Sequence, residues 1–129
     1  MRVLLDTNVF LWLHAAPERV GRLLPMLEDP TTERLVSAVV GWEIAIKHGL
    51  GRLQLPEPPQ HWVPSRIQRG AMVVVPIELS HVLGVADLEQ HHRDPFDRLL
   101  VSVARSLEVP VVTSDPVFAR YGVEVLDVR

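Results

Sequence analysis

The sequence predicts an α/β protein with a central parallel sheet covered by helices on both faces. Short apolar runs recur along the chain and alternate with longer segments of helical character. The runs are rich in valine and leucine and lack polar alternation, the pattern of strands buried on both sides. The 129 residues contain no repeat, low-complexity tract or linker, so a single domain over 1–129 is expected.

The elements follow in order. Residues 2–5 read as a short strand ending at Asp6. Residues 8–14 and 18–28 read as two helices, interrupted near Pro17 and stopped by Asp29-Pro30. A second strand over 34–37 ends at Ser37, a natural cap for a helix running to about His48 and closed by Gly49 and Gly51. The proline-rich stretch 55–59 fits neither a helix interior nor a central strand. A helix follows over roughly 60–70, with Pro64 as a break or kink. Val73–Val75 is a third strand, 80–87 a short helix, and 89–94 a polar loop. Asp94 suits an N-cap and Pro95 the first position of a helix reaching Leu107. Val111-Val112 forms a fourth strand ending at Thr113, and a short helix over 116–121 and a strand near 123–126 close the chain.

Composition narrows the function classes. With no cysteine, disulfides, thiolate metal sites and cysteine nucleophiles are excluded, in keeping with a reducing compartment. Asp6 interrupts the apolar start too early for a signal peptide, and no apolar run reaches membrane-spanning length, so a cytoplasmic protein is expected. The formal net charge of −3 runs against the basic excess of most nucleic-acid binders. A carboxylate site, however, carries negative charge that bound cations offset.

Four acids stand where apolar residues would be expected: Asp6, Glu43, Asp97 and Asp115. Burying an unpaired carboxylate costs several kcal/mol or forces protonation, so each needs an ion pair, a helix end or a metal. Asp6 ends the first strand, Glu43 lies about two turns into the helix after the second, and Asp115 follows the fourth. In a parallel sheet these positions share the carboxyl edge, where ligands bind. Asp97 joins them if the helix opened by Asp94 points its N-terminus at that edge. Hard divalent cations choose oxygen ligands of this kind.

Each acid also has a purely structural reading. Asp6, Asp94 and Asp115 suit helix caps, Asp97 offsets a helix dipole, and Glu43 precedes Lys47 by four residues, the favourable order for a surface ion pair. His91 and His92 lack the separated spacing of a zinc site and read as part of a solvated loop. Trp12, Trp42 and Trp62 read as core or partner contacts, and Arg66 and Arg69 as a solvated face.

Four segments in series carry a family resemblance: residues 5–9 (LDTNV), 37–47 (SAVVGWEIAIK), 92–100 (HRDPFDRLL) and 113–115 (TSD). The chain resembles PIN-domain ribonucleases, specifically VapC-type toxins of bacterial toxin–antitoxin pairs. That resemblance implies an α/β/α sandwich and a Mg2+- or Mn2+-dependent endoribonuclease. It places metal-binding acids at Asp6, Glu43, Asp97 and Asp115, with Asp6 and Asp97 as direct ligands and Glu43 and Asp115 acting through water or a second ion. Asn8, Ser37 and Thr113 match supporting polar positions, and Asp94 a position common in the subgroup. Arg93 and Arg98 are phosphate-contact candidates by proximity. The resemblance further implies an RNA substrate, a cognate VapB-type antitoxin and a homodimer.

Two rivals are weaker. A phosphoryl-transfer domain of the receiver or aspartyl-phosphatase type wants a lysine after a late strand, but the sole lysine, Lys47, lies in an early helix. A catalytically inactive PIN module that only binds RNA or protein would not need all four acids.

Overall fold

The computed structural model describes residues 1–129. Its centre is a five-stranded, wholly parallel sheet built from β1 (Arg2–Leu5), β2 (Glu33–Ser37), β3 (Val73–Val75), β4 (Val111–Thr113) and β5 (Val125–Asp127). The spatial order is β3-β2-β1-β4-β5. Strand order therefore reverses between β1 and β4, the place where open parallel sheets form ligand crevices. Leu4 lies in register with Leu35 on one side and Val111 on the other.

Residues of β1, β2 and β4 bury alternately on the two faces, as the period of two requires, while the edge strand β3 exposes Val73 and Val74. Val3, Leu5, Val36 and Val112 join one apolar cluster; Leu4, Leu35 and Val111 join the other. The first face is covered by α1 (Thr7–Ala15), α2 (Leu24–Glu28) and α4 (Pro59–Arg69), through Val9, Phe10, Leu27, Trp62 and Val63. The second is covered by α6 (Pro95–Leu107), whose apolar stripe includes Leu99, Leu100 and Val103. α3 (Ala38–Gly49) reaches both clusters, Val40 and Ile44 facing one and Val39 the other. α5 (Leu79–Gly84) packs on α6. The expected α/β/α sandwich is thus the observed one.

Three expectations need correction. The segment expected as one helix over 18–28 is a 3-10 turn over Pro17–Leu23 followed by the short α2. Gly21 breaks it with φ 63°, and a Cβ there would stand 3.0 Å from the Val128 carbonyl, so this bend belongs to glycine. Pro64 does not break α4; it lies inside the helix at an exposed position. The last strand starts at Val125 rather than near 123, because Val111 donates to the Glu124 carbonyl and pairs with Val125.

Candidate metal centre

The carboxyl edge around β1 and β4 brings the four acids into one neighbourhood. Asp6, 8% exposed, follows β1 and is both the N-cap of α1 and a member of the cluster. Its Oδ1 accepts from the Thr7 backbone N–H at 2.7 Å, and its Oδ2 accepts from Thr113 Oγ1 at 2.7 Å. Thr113 also accepts from the Asp115 backbone N–H at 3.0 Å, so one buried hydroxyl ties the ends of the two central strands. The cap and ligand readings of Asp6 are therefore compatible.

Glu43 faces inward from α3 and is 7% exposed. Thr7 Oγ1 donates to its Oε1 at 2.7 Å, while Lys47 pairs with its Oε2. The expected ion pair is real, but its acid is buried against the end of β1, so it is no surface pair. Asp115 caps the turn after β4 by accepting from the Val117 N–H at 2.9 Å. Its other oxygen, Oδ2, lies 3.0 Å from His92 Nε2, and Asp97 Oδ2 lies 3.9 Å from the same nitrogen. One atom from each of His92, Asp97 and Asp115 falls within 4.8 Å of the others.

Crowding sets the electrostatics. Burial, and then the charges of Asp6, Asp94, Glu43 and Asp115, push the Asp97 carboxyl up to about 8. Burial likewise raises Asp6, opposed by its hydrogen bonds from Thr113 and Thr7 and reinforced by Glu43 and Asp115. The Lys47 ammonium is held above its usual range chiefly by its bond to Glu43. One lysine does not offset four converging carboxylates. Asp97 receives no side-chain hydrogen bond, so a partly buried carboxyl faces its neighbours without a donor. An all-oxygen acidic set short of positive charge fits Mg2+ or Mn2+.

The remaining candidates divide. Thr113 belongs to the cluster. Asp94 accepts from the Phe96 N–H at 2.8 Å as the cap of α6, yet its charge acts on Asp97 and Lys47. Ser37 is buried and caps α3 by accepting from Val39 N–H at 3.1 Å. Asn8 is exposed and makes no side-chain hydrogen bond that joins it to the acids. Arg98 donates to the carbonyls of Glu89 and Val85, tying the preceding loop to α6 instead of presenting its guanidinium to a phosphate. Arg93 is exposed.

His92 is the residue that sequence reasoning missed. It does not belong to a solvated loop: its side chain is only 9% exposed and touches the acids directly. His91 beside it is the more exposed of the two. The signal lay in its place just ahead of the Asp94-Pro95 helix start, but its partners come from 23 and 29 residues further along the chain.

Comparison with known proteins agrees with this architecture. The PIN-domain family model matches residues 3–124, and the chain belongs to that family. Ribonuclease VapC16 of Mycobacterium tuberculosis is 33% identical over 66 residues, a stretch covering 51% of this chain and 47% of that protein. The chain thus matches about half the length of that curated relative. Among solved structures, VapBC2 from Rickettsia felis bound to a promoter DNA fragment aligns with a TM-score of 0.73 at 17% identity, covering 98% of both chains. DNA-bound VapBC from Salmonella typhimurium aligns with a TM-score of 0.72 at 19% identity, covering 100% of this chain and 99% of that one. At these identities the structural likeness establishes the fold. The PIN resemblance read from the four sequence segments holds.

Proposed function

We propose that the chain is a metal-dependent endoribonuclease acting as the toxin of a toxin–antitoxin pair. The observation that carries this reading is the convergence of Asp6, Glu43, Asp97 and Asp115 from four separate elements, with Asp97 pushed up to about 8 and lacking a donor. The local similarity to a ribonuclease and the fold shared with VapBC toxins support it.

Asp6 and Asp97 are the direct ligands for Mg2+ or Mn2+, and Glu43 and Asp115 act through water or a second ion. Such a cation lowers the pKa of a bound water and offsets negative charge building on the phosphate. The chain's own groups do the positioning. Thr113 and the Thr7 N–H fix the Asp6 carboxylate, Thr7 and Lys47 fix Glu43, and the Val117 N–H and His92 fix Asp115. Preorganised acids need little rearrangement when an RNA phosphodiester arrives. Exposed Arg93 is available for a neighbouring phosphate.

The partners in this reading are a VapB-type antitoxin and a second copy of the chain. Trp42 and Ile46 on α3, Leu50 at its C-terminal end, and Leu79, Val82 and Leu83 on α5 are large exposed apolar side chains, the kind of surface that partners cover. Light scattering of the Val82→Glu/Leu83→Glu variant is expected to give a monomer where the parent gives a dimer. A monomeric parent would remove the homodimer from this reading. The site of action is the cytoplasm; no helix of the structure is long and apolar enough to cross a membrane.

The test uses purified protein free of antitoxin, incubated with a broad RNA set and Mg2+ or Mn2+. The parent should cleave only with metal, and Asp6→Asn should lose about a thousandfold or more in rate, since several kcal/mol of transition-state stabilisation depend on the cation. Equal cleavage by both forms would sink the metal-acid mechanism, and no cleavage by either would favour a binding module.

A further inference from the structure

We infer that His92 is a positioning residue of the acidic centre, donating a hydrogen bond from Nε2 that fixes Asp115 while Tyr121 fixes His92. The inference rests on the metal-centre reading above and adds to it a residue outside the four acids.

His92 meets both ends of the turn Pro116–Tyr121. At one end its Nε2 lies 3.0 Å from Asp115 Oδ2. At the other, the Tyr121 hydroxyl accepts from the His92 backbone N–H at 2.7 Å and lies 3.1 Å from Nδ1. The imidazole also stacks on the Tyr121 ring, with centroids 5.4 Å apart and planes 6° from parallel, and meets the edge of Phe118 at 5.2 Å. Tyr121 and Phe118 are fully buried, and Arg105 donates twice to the Tyr121 carbonyl. The histidine is therefore mounted on a rigid support.

The hydrogen-bond inventory points to Nε2 as a protonated nitrogen. The Tyr121 hydroxyl has a single proton, and one of its lone pairs already takes the His92 N–H. Giving that proton to Nδ1 places the imidazole proton on Nε2, where it donates to the carboxylate of Asp115. The opposite tautomer would set a bare Nε2 against a carboxylate lone pair. With Val117 N–H on Oδ1 and His92 on Oδ2, both Asp115 oxygens have one donor each and keep lone pairs for a cation. Removing a side chain that hydrogen-bonds to a metal ligand in this way typically costs about 10–100-fold in metal affinity.

Two substitutions separate donation from packing. His92→Phe keeps an aromatic ring on Tyr121 and removes the donor; His92→Gln keeps an amide N–H near the Nε2 position and gives up the stack. Binding of Mn2+ is read from the electron-spin-resonance signal of the free ion, with thermal unfolding recorded alongside. The Phe variant is expected to bind Mn2+ about tenfold more weakly or worse, and the Gln variant to stay within about threefold of the parent despite a lower Tm. The reverse order, with Phe matching the parent and Gln weakened in step with its Tm, would overturn the inference and leave the metal-centre reading standing. A parent that binds no Mn2+ would overturn both. Nitrogen-15 spectra of the metal-free parent at pH 8 give a check independent of folding in the variants. A protonated Nε2 on His92 is the expected result, and a bare Nε2 would refute the tautomer on which positioning depends.

Discussion

Asp97→Asn is expected to cut RNA cleavage about a thousandfold and, at the same time, to make the metal-free protein more stable at pH 8 than its parent. Loss of activity follows from removing an acid proposed as a direct ligand. The gain in stability follows from linkage. The folded-state pKa of Asp97 is raised to about 8, first by burial and then by Asp6, Asp94, Glu43 and Asp115. An unfolded aspartate titrates near 3.9, so between roughly pH 4 and 8 the native state holds a proton that the unfolded state has released. Stability contributed by that proton is present at low pH and lost as pH rises through about 8. The nearest basic neighbour, His92 Nε2, is 3.9 Å away and does not reverse this balance. Asparagine is neutral throughout and escapes the loss. Thermal unfolding of metal-free parent and variant from pH 5 to pH 8 checks this. The parent's Tm should fall relative to that of the variant, at about 4 °C per kcal/mol for a chain of this size. Parallel curves would show that Asp97 ionises as an ordinary surface acid.

Lys47→Met is expected to lower the stability of the metal-free protein by about 1–2 kcal/mol, less than the 3–5 seen when a fully buried pair is broken. The discount reflects the 41% exposure of the Lys47 side chain against 9% for Glu43. Glu43 would retain the Thr7 hydroxyl but lose its only counter-charge. A divalent cation bound at the proposed centre would supply positive charge to the same carboxylate. Saturating Mn2+ should therefore raise the Tm of Lys47→Met by more than it raises that of the parent. Equal Mn2+ shifts in the two proteins would place Glu43 outside the cation's reach.

The fold was legible because its signals are local. Buried-strand composition marked β1, β2, β3 and β4, and Asp94-Pro95 marked the start of α6 at the residue where it begins. The break at Gly21 was not legible, since its cause is the close approach of the Val128 carbonyl from the far end of the chain. At the site, the chemical types and sheet edge of Asp6, Glu43, Asp97 and Asp115 could be read from where acids interrupt apolar runs. Their competing structural roles could not be ranked from sequence, and the structure shows why: Asp6 and Asp115 cap helical turns with one oxygen and face the cluster with the other. Arg98 and His92 exchanged expected roles for the same reason. The arginine near the acids is spent on loop carbonyls, while the histidine assigned to solvent finds Tyr121 and Asp115 through tertiary contacts. Spacing along the chain carries no record of such contacts.

In the proposed cation site the four acids stay partly protonated until a cation arrives. Calorimetric titration of the metal-free protein with Mn2+ at pH 7, in two buffers of different ionisation enthalpy, tests it most directly. Binding is expected to release about one proton per ion, because the cation displaces the proton held by Asp97. Asp6→Asn and Asp97→Asn are each expected to bind at least about tenfold more weakly, with proton release abolished in the latter. Binding of equal strength in all three proteins, or binding by the parent with no proton released, would contradict the proposed cation site.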